Sequence, residues 1–170
     1  SRSAASISRP RTASASATTD ISGTDGFLVA KALGAVALSM YGYGETVIAN
    51  SGSITASAET SQGYAGAGGA VSMSGAYGSA LILNEGSISA YAMTDSGAAD
   101  TVGAYASAIA GTASVVNHGD ISAGSHISTG RGYAYATGVQ VLGNYYGSEG
   151  AVSNYGSIES HTTTYSGFAV

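Results

Sequence analysis

Glu85, His118 and Asp120 are the residues of this chain best placed to do chemistry. Glu85 and His118 hold equivalent positions in two neighbouring sequence repeats, and Asp120 follows two residues later. Cleaving or eliminating a glycosidic bond would need paired carboxylates, or a carboxylate with a base or cation, on one outward face. The other acids are mostly scattered singly through turn-like segments, so this trio reads first as a solvated polar patch. His126 is expected in a loop and His161 on an outward face near Glu159, neither with a partner at metal-ligand spacing. Asp20 and Asp25 flank a Gly-containing turn of loose calcium-binding character, without the glycine-rich nonapeptide of calcium solenoids. The run His161-Thr162-Thr163-Thr164 has the texture of an ice-binding array, but the matching positions of earlier repeats hold Ser57, Ala58, Tyr91 and Ala92. Tyr91, Tyr145, Tyr146, Tyr155 and Tyr165 fall at outward or loop positions, where aromatic faces suit saccharide stacking or lateral contacts. The expectation is therefore no enzyme: no catalytic residue, no cofactor and no metal.

Composition narrows the frame that could position such residues. Gly supplies 26 residues, Pro one, Cys and Trp none, and only 9% are charged. Leu, Ile, Val and Phe together are 29 of the 170 residues, a share low enough to suggest disorder. Disorder, however, goes with high net charge, and here it is only −5. A chain short of both large apolar and charged residues holds itself together best by repetition. A pI of about 4.8 and the single Lys31 argue against nucleic acid, whose phosphates call for a basic face, and against anionic lipid. The apolar stretch from Phe27 to Met40 is interrupted by Lys31 and too short to cross a bilayer, so no membrane insertion is expected. Asp20 and Asp25 stand before it where a secretion signal has basic residues. Without Cys there are no disulfides and no thiol chemistry. The missing initiator Met points to a chain processed or excised from a longer one.

The repetition is found. VIANSGSITASA, LILNEGSISAYA, SVVNHGDISAGS and AVSNYGSIESHT align without gaps on Asn50, Asn84, Asn117 and Asn154, which are 34, 33 and 37 residues apart. Two residues after each Asn comes Gly52, Gly86, Gly119 or Gly156, and two further on Ile54, Ile88, Ile121 or Ile158. Two before each stands Ile48, Ile82, Val115 or Val152. Positions of this parity are constant, and those between them vary and are polar. That is the period of a strand with one buried face. One repeat then makes one coil, with the Ile residues stacked in the core and the Asn amides paired along an Asn ladder. Asn-x-Gly is expected to turn the corner between two strands, with Gly at positive φ.

A third strand per coil is expected from GFLVAKAL, GYAGAGGAV, VGAYASAI and GYAYATGV, aligned with Ala30, Ala106 and Ala136 in one column and Leu33, Ile109 and Val139 in another. The fold class is thus all-β, a single parallel β-solenoid (β-helix) over residues 1–170, with about four to five coils and three short strands in each. Residues 1–25 form a degenerate first coil with Ile7 and Arg9 at the Val and Asn positions, 26–166 the regular coils, and 167–170 an incomplete terminal coil. Joining Val170 of one copy to Ser1 of another would complete most of that coil. Gly167, Phe168 and Val170 are then expected to meet Ile7 and Arg9 in end-to-end stacking, against which Arg9-Pro10-Arg11 stands as an edge guard.

The recurring V-x-N-x-G-x-I-x-A followed by Y-A-x-[AG]-[IV] resembles the passenger repeats of proteobacterial autotransporter adhesins, over residues 26–170 and faintly over 5–25. The resemblance implies a β-helix displayed outside the cell, with a part in adhesion or biofilm. Two features depart from it: the sequence contains no translocator barrel, and the coil is longer than is usual for such passengers. The function expected is a non-catalytic, structural or adhesive bacterial surface module. It would stack end to end into an extracellular fibre or belong to a longer tandem array. Its partners would be copies of itself and surface glycans or host and matrix surfaces. The alternative is a carbohydrate-binding or carbohydrate-cleaving β-helix.

Overall fold

The computed structural model describes residues 5–8, 12–19, 28–39, 44–144 and 147–170. Every element among them is a strand: β1 (Ala5–Ser8), β2 (Thr12–Thr19), β3 (Leu28–Ser39), β4 (Glu45–Asn50), β5 (Ser53–Ser74), β6 (Ser79–Asn84), β7 (Ser87–Ala108), β8 (Thr112–Asn117), β9 (Asp120–Gly143), β10 (Glu149–Asn154) and β11 (Ser157–Ala169). No helix among the described residues is long and apolar enough to cross a membrane. The short strands pair in the order β1-β4-β6-β8-β10, and the long ones in the order β11-β9-β7-β5-β2, with β3 also on β5. All pairing is parallel, each strand lying on its counterpart one repeat away. The chain is a β-solenoid of about four turns, rising by roughly 4.8 Å per coil.

Parallel pairing in register places like on like. Ile48 pairs with Ile82 and Asn50 with Asn84, Ile82 with Val115, and Ile54 with Ile88. Ile121 continues the latter column. The side chains of Ile48, Ile82, Val115, Ile54, Ile88 and Ile121 are all buried. Each fully buried Ile contributes about 1.5–3 kcal/mol by leaving water, and further along the strands the inward columns shrink to Ala56–Ala90–Ala123 and Ala58–Ala92.

The second and third arms of a coil form one bent strand, of 22 residues in β5 and β7. The bend falls at Gly63 and Gly97, whose φ of 102° and 124° suits residues without a Cβ. Thr60 and Thr94 turn inward just before it and donate their hydroxyls to the Gln62 and Ser96 carbonyls at 2.9 and 2.8 Å. In β9 two more residues are accommodated here: Ile127 replaces the Thr, and pairing resumes at Gly132 after a register shift.

The third-arm alignment expected from sequence is corrected. Ala30 shares a column with Ala65, Ala99 and Ala134, whereas Ala136 sits with Ala32, Ala67 and Thr101. Ala106 belongs with Ala37, Ser72 and Val141. Leu33 aligns with Gly68, Val102 and Thr137, Val139 with Ala104, and Ile109 follows the end of β7. The cause is a change of parity within the arm. Ala65 and Ala67 point inward, and so do Ala70, Ser72 and Ser74, with Gly69 at the switch. A Cβ on Gly69 would lie 2.5 Å from Ile88 Cγ2, and one on Gly103 the same distance from Ile121 Cγ2. Gly34 and Gly138 meet Ile54 and Ile158 in the same way. The core is therefore one side chain deep here: each Ile of the second arm reaches across the coil to a bare backbone on the third.

The first corner falls at Asn-x-Gly as expected, between β4 and β5 and between the matching strands of later coils, but its glycine has a different reason. Gly86, Gly119 and Gly156 are not at positive φ. They are glycine because a Cβ on each would run into the carbonyl oxygen of Gly52, Gly86 or Gly119 in the coil below. Stacking, not turning, demands glycine here.

Candidate functional site: a core ladder, a polar corner and an outer groove

Four Asn residues form the ladder. The Nδ2 of Asn50 donates to Asn84 Oδ1 at 2.7 Å, Asn84 to Asn117 at 2.7 Å, and Asn117 to Asn154 at 2.8 Å. The second proton of each amide is taken by main-chain carbonyls around the next corner: Ser87 for Asn50, Asp120 for Asn84 and Ser157 for Asn117. The Oδ1 of Asn50 and of Asn154 also accepts the N–H of the Gly two residues on. A carboxamide is suited to this place because it donates on one side and accepts on the other, so every member can be satisfied without charge. Asn50, Asn84 and Asn117 are buried, and Asn154 is exposed.

Glu85 and His118 do share the outward corner column, for Glu85 N–H donates to the Asn50 carbonyl and His118 N–H to that of Asn84. The His118 ring stacks on Tyr155, centroids 4.7 Å apart at 11°. Asp120 accepts from the Ser157 hydroxyl at 2.9 Å. All three side chains are exposed. Among the described residues no group of three His, Asp or Glu is placed to hold a metal ion. His126 is not in a loop: it lies in β9 between Met93 and Thr163, because the second arm runs further than the twelve-residue repeat window showed. His161 is outward, with its Nε2 3.1 Å from the Thr163 hydroxyl, while Thr164 sits in an inward column with Ile127 and Thr94. Asp20, Asp25, Arg9, Tyr145 and Tyr146 lie outside the described residues.

The last coil leaves its inward columns open. Val152, at the level of the buried Val115, is 49% exposed, whereas Phe168, 68% exposed, belongs to the outward column of the exposed Tyr133. Gly167 pairs with Gly132, Phe168 stacks on Tyr133 with centroids 5.7 Å apart, and Val170 exchanges main-chain hydrogen bonds with Ala134 and Ala136. At the other side of the stack Ile7 pairs with Ile48.

A groove on the outer face of the third arm was missed by sequence reasoning. It has a volume of about 440 Å³ and is lined across the coils by Lys31, Tyr64, Asp100, Tyr105 and Tyr135, among others. Lys31, Gly66, Asp100 and Tyr135 form a single column. Four different residue types in a column produce no repeat, and the misaligned third arm separated them further.

No protein-family model, curated protein or solved structure matches the chain. Its class rests on its own geometry: a β-solenoid repeat protein with parallel coils and a continuous Asn ladder.

Proposed function

We propose that this chain is a non-catalytic structural and adhesive rod segment of a bacterial surface, continued either by further coils of a tandem array or by copies stacked end to end in an extracellular fibre. The supporting observation is that columns closed within the stack come open at the last coil without changing type. Ile48, Ile82 and Val115 are fully buried, and Val152 presents the same β-branched surface to solvent. Asn154 likewise carries the ladder to a free end, accepting from Asn117. Such a face is complementary to another coil of the same pattern, whether from the same chain or from a second copy. The resemblance of the repeat to autotransporter passenger coils supports display outside the cell, where repeated coils set a binding surface at a distance from the membrane.

Electron microscopy and sedimentation of the pure chain at rising concentration test the fibre form. Particles joined end to end are expected, and Val152→Asp, which places a charge on the open face, should return them to single blocks. Discrete particles from the parent chain at every concentration would remove the fibre and leave the array, which further copies of V-x-N-x-G-x-I in the flanking coding sequence would establish. Release of product from a polysaccharide by the parent chain, abolished by Glu85→Gln with His118→Ala, would overturn the non-catalytic reading.

A further inference from the structure

From the groove on the third arm we infer a second functional surface: a binding site for a neutral oligosaccharide, built from Tyr64, Asp100, Tyr105 and Tyr135 of consecutive coils. The inference does not depend on the rod reading, since it concerns the flank of the stack and not its end.

The groove exists because of glycine. Gly66 stands in the column between Lys31 and Asp100, and a Cβ there would lie 2.7 Å from the Tyr64 ring. With no side chain in the way, the Tyr64 ring folds over Gly66, and its hydroxyl reaches the next coil to donate to Asp100 Oδ2 at 3.2 Å. Lys31 Nζ stands 5.6 Å from the centre of the same ring, within range of a cation–π contact. Burial, together with the Asp100 carboxylate that it faces and bonds, pushes the Tyr64 hydroxyl above its usual range, so it remains a donor in neutral solution. Three coils thus lock one another's side chains, and Asp100 is fixed as an acceptor facing the groove.

The remaining lining suits a ligand with an apolar face and a rim of hydroxyls. Tyr135 is 48% exposed and follows Asp100 in the column, offering its ring to solvent. Tyr105 stands on the far side of the glycine switch and is half-buried, with Gln140 next to it in its own column. Aromatic rings supply stacking area, while a carboxylate, an amide and an ammonium group supply directional hydrogen bonds. From Lys31 to Tyr135 the column crosses three coil steps, about 14 Å, so the site is elongated and matches a chain of sugars better than a single one. The carboxylate at its centre and the net charge of −5 disfavour a polyanion. At the centre of the groove β5 and β7 are paired on both sides, so a peptide could join as a strand only along β3 or the end of β9, an outcome that the hexapeptide in the test reads.

The test is isothermal titration of the 170-residue chain with neutral hexasaccharides of α- and β-linked glucose, mannose and N-acetylglucosamine, a hexauronate and an unrelated hexapeptide. At least one neutral hexasaccharide is expected to bind. Tyr135→Ala and Asp100→Ala, both on the outer face, should each weaken it about tenfold, with the thermal unfolding midpoint kept. Tyr155→Ala, on the corner column, should leave binding unchanged. The inference is overturned if no neutral saccharide binds, if only the hexauronate or the peptide binds, or if binding survives both groove variants.

Discussion

Replacing Asn84 by Asp is expected to destabilise the fold by about 3–5 kcal/mol at neutral pH, the cost of leaving a buried charge without a partner. The substitution changes one amide nitrogen for an oxygen and almost no volume, so packing does not enter. What changes is the direction of three hydrogen bonds. The Asn84 Nδ2 donates to Asn117 Oδ1, to the Asp120 carbonyl and to the Gly86 carbonyl. A carboxylate there would face three acceptors in a place where Asn84 is fully buried. It retains only the bond that it accepts from Asn50. The new carboxyl is therefore more easily protonated in the fold than in the unfolded chain, where its pKa is about 3.9. A raised folded value means that the folded state binds more protons, so the variant's deficit is smallest below that unfolded value and grows as pH rises through it. Urea unfolding of parent and variant at acidic and neutral pH measures this. A deficit independent of pH would place residue 84 in water.

Gly86→Val is expected to cost about 3 kcal/mol or more, at the upper end of overpacking effects, for an unrelated reason. The added Cβ would run into the Gly52 carbonyl oxygen, the same oxygen that accepts the Ser87 N–H at 2.8 Å. Relief requires the corners of two coils to separate, which lengthens that bond and the Asn50–Asn84 bond beside it. Flexible side chains cannot absorb the clash because the atoms involved are main chain. Gly124→Ala serves as the control. There the nearest atom is 3.2 Å away on the Tyr91 ring, an exposed side chain able to move, and the change should stay within about 0.5 kcal/mol. Equal losses in the two variants, read from denaturant midpoints, would show that the corners are not in contact.

These two sites also show why the strand pair was legible in the sequence. At Asn84 and Gly86 the neighbour above and below is the same residue type, so the contact itself imposes identity and the repeat records it. The Ile54–Ile88–Ile121 column is repeated for the same reason. On the third arm the equivalent constraint falls on glycine, a residue so common here that its regularity was hidden among Ala and Tyr. The pattern is nevertheless present: Gly63, Gly97 and Gly132 mark the bend, and Gly69, Gly103 and Gly138 the switch six residues later in each coil. Those two glycine columns would have set the register that Ala30, Ala106 and Ala136 did not. Outward positions answer to solvent or to a ligand, not to the coil below. The groove column of Lys31, Gly66, Asp100 and Tyr135 therefore carries no internal signature and emerges only once the coils are stacked. For Glu85, His118 and Asp120 the column was legible and the partners were not, since a ring stack with Tyr155 depends on side-chain direction.

Methyl-labelled NMR of the intact chain tests the core most directly. Nuclear Overhauser contacts should connect Ile54 to Ile88 and Ile88 to Ile121, and separately Ile48 to Ile82 and Ile82 to Val115, with all six side chains shielded from a soluble paramagnetic agent. Contacts that skip from one series to the other between coils, or strong relaxation of the Ile88 methyls by the agent, would contradict a parallel stack wound once per repeat.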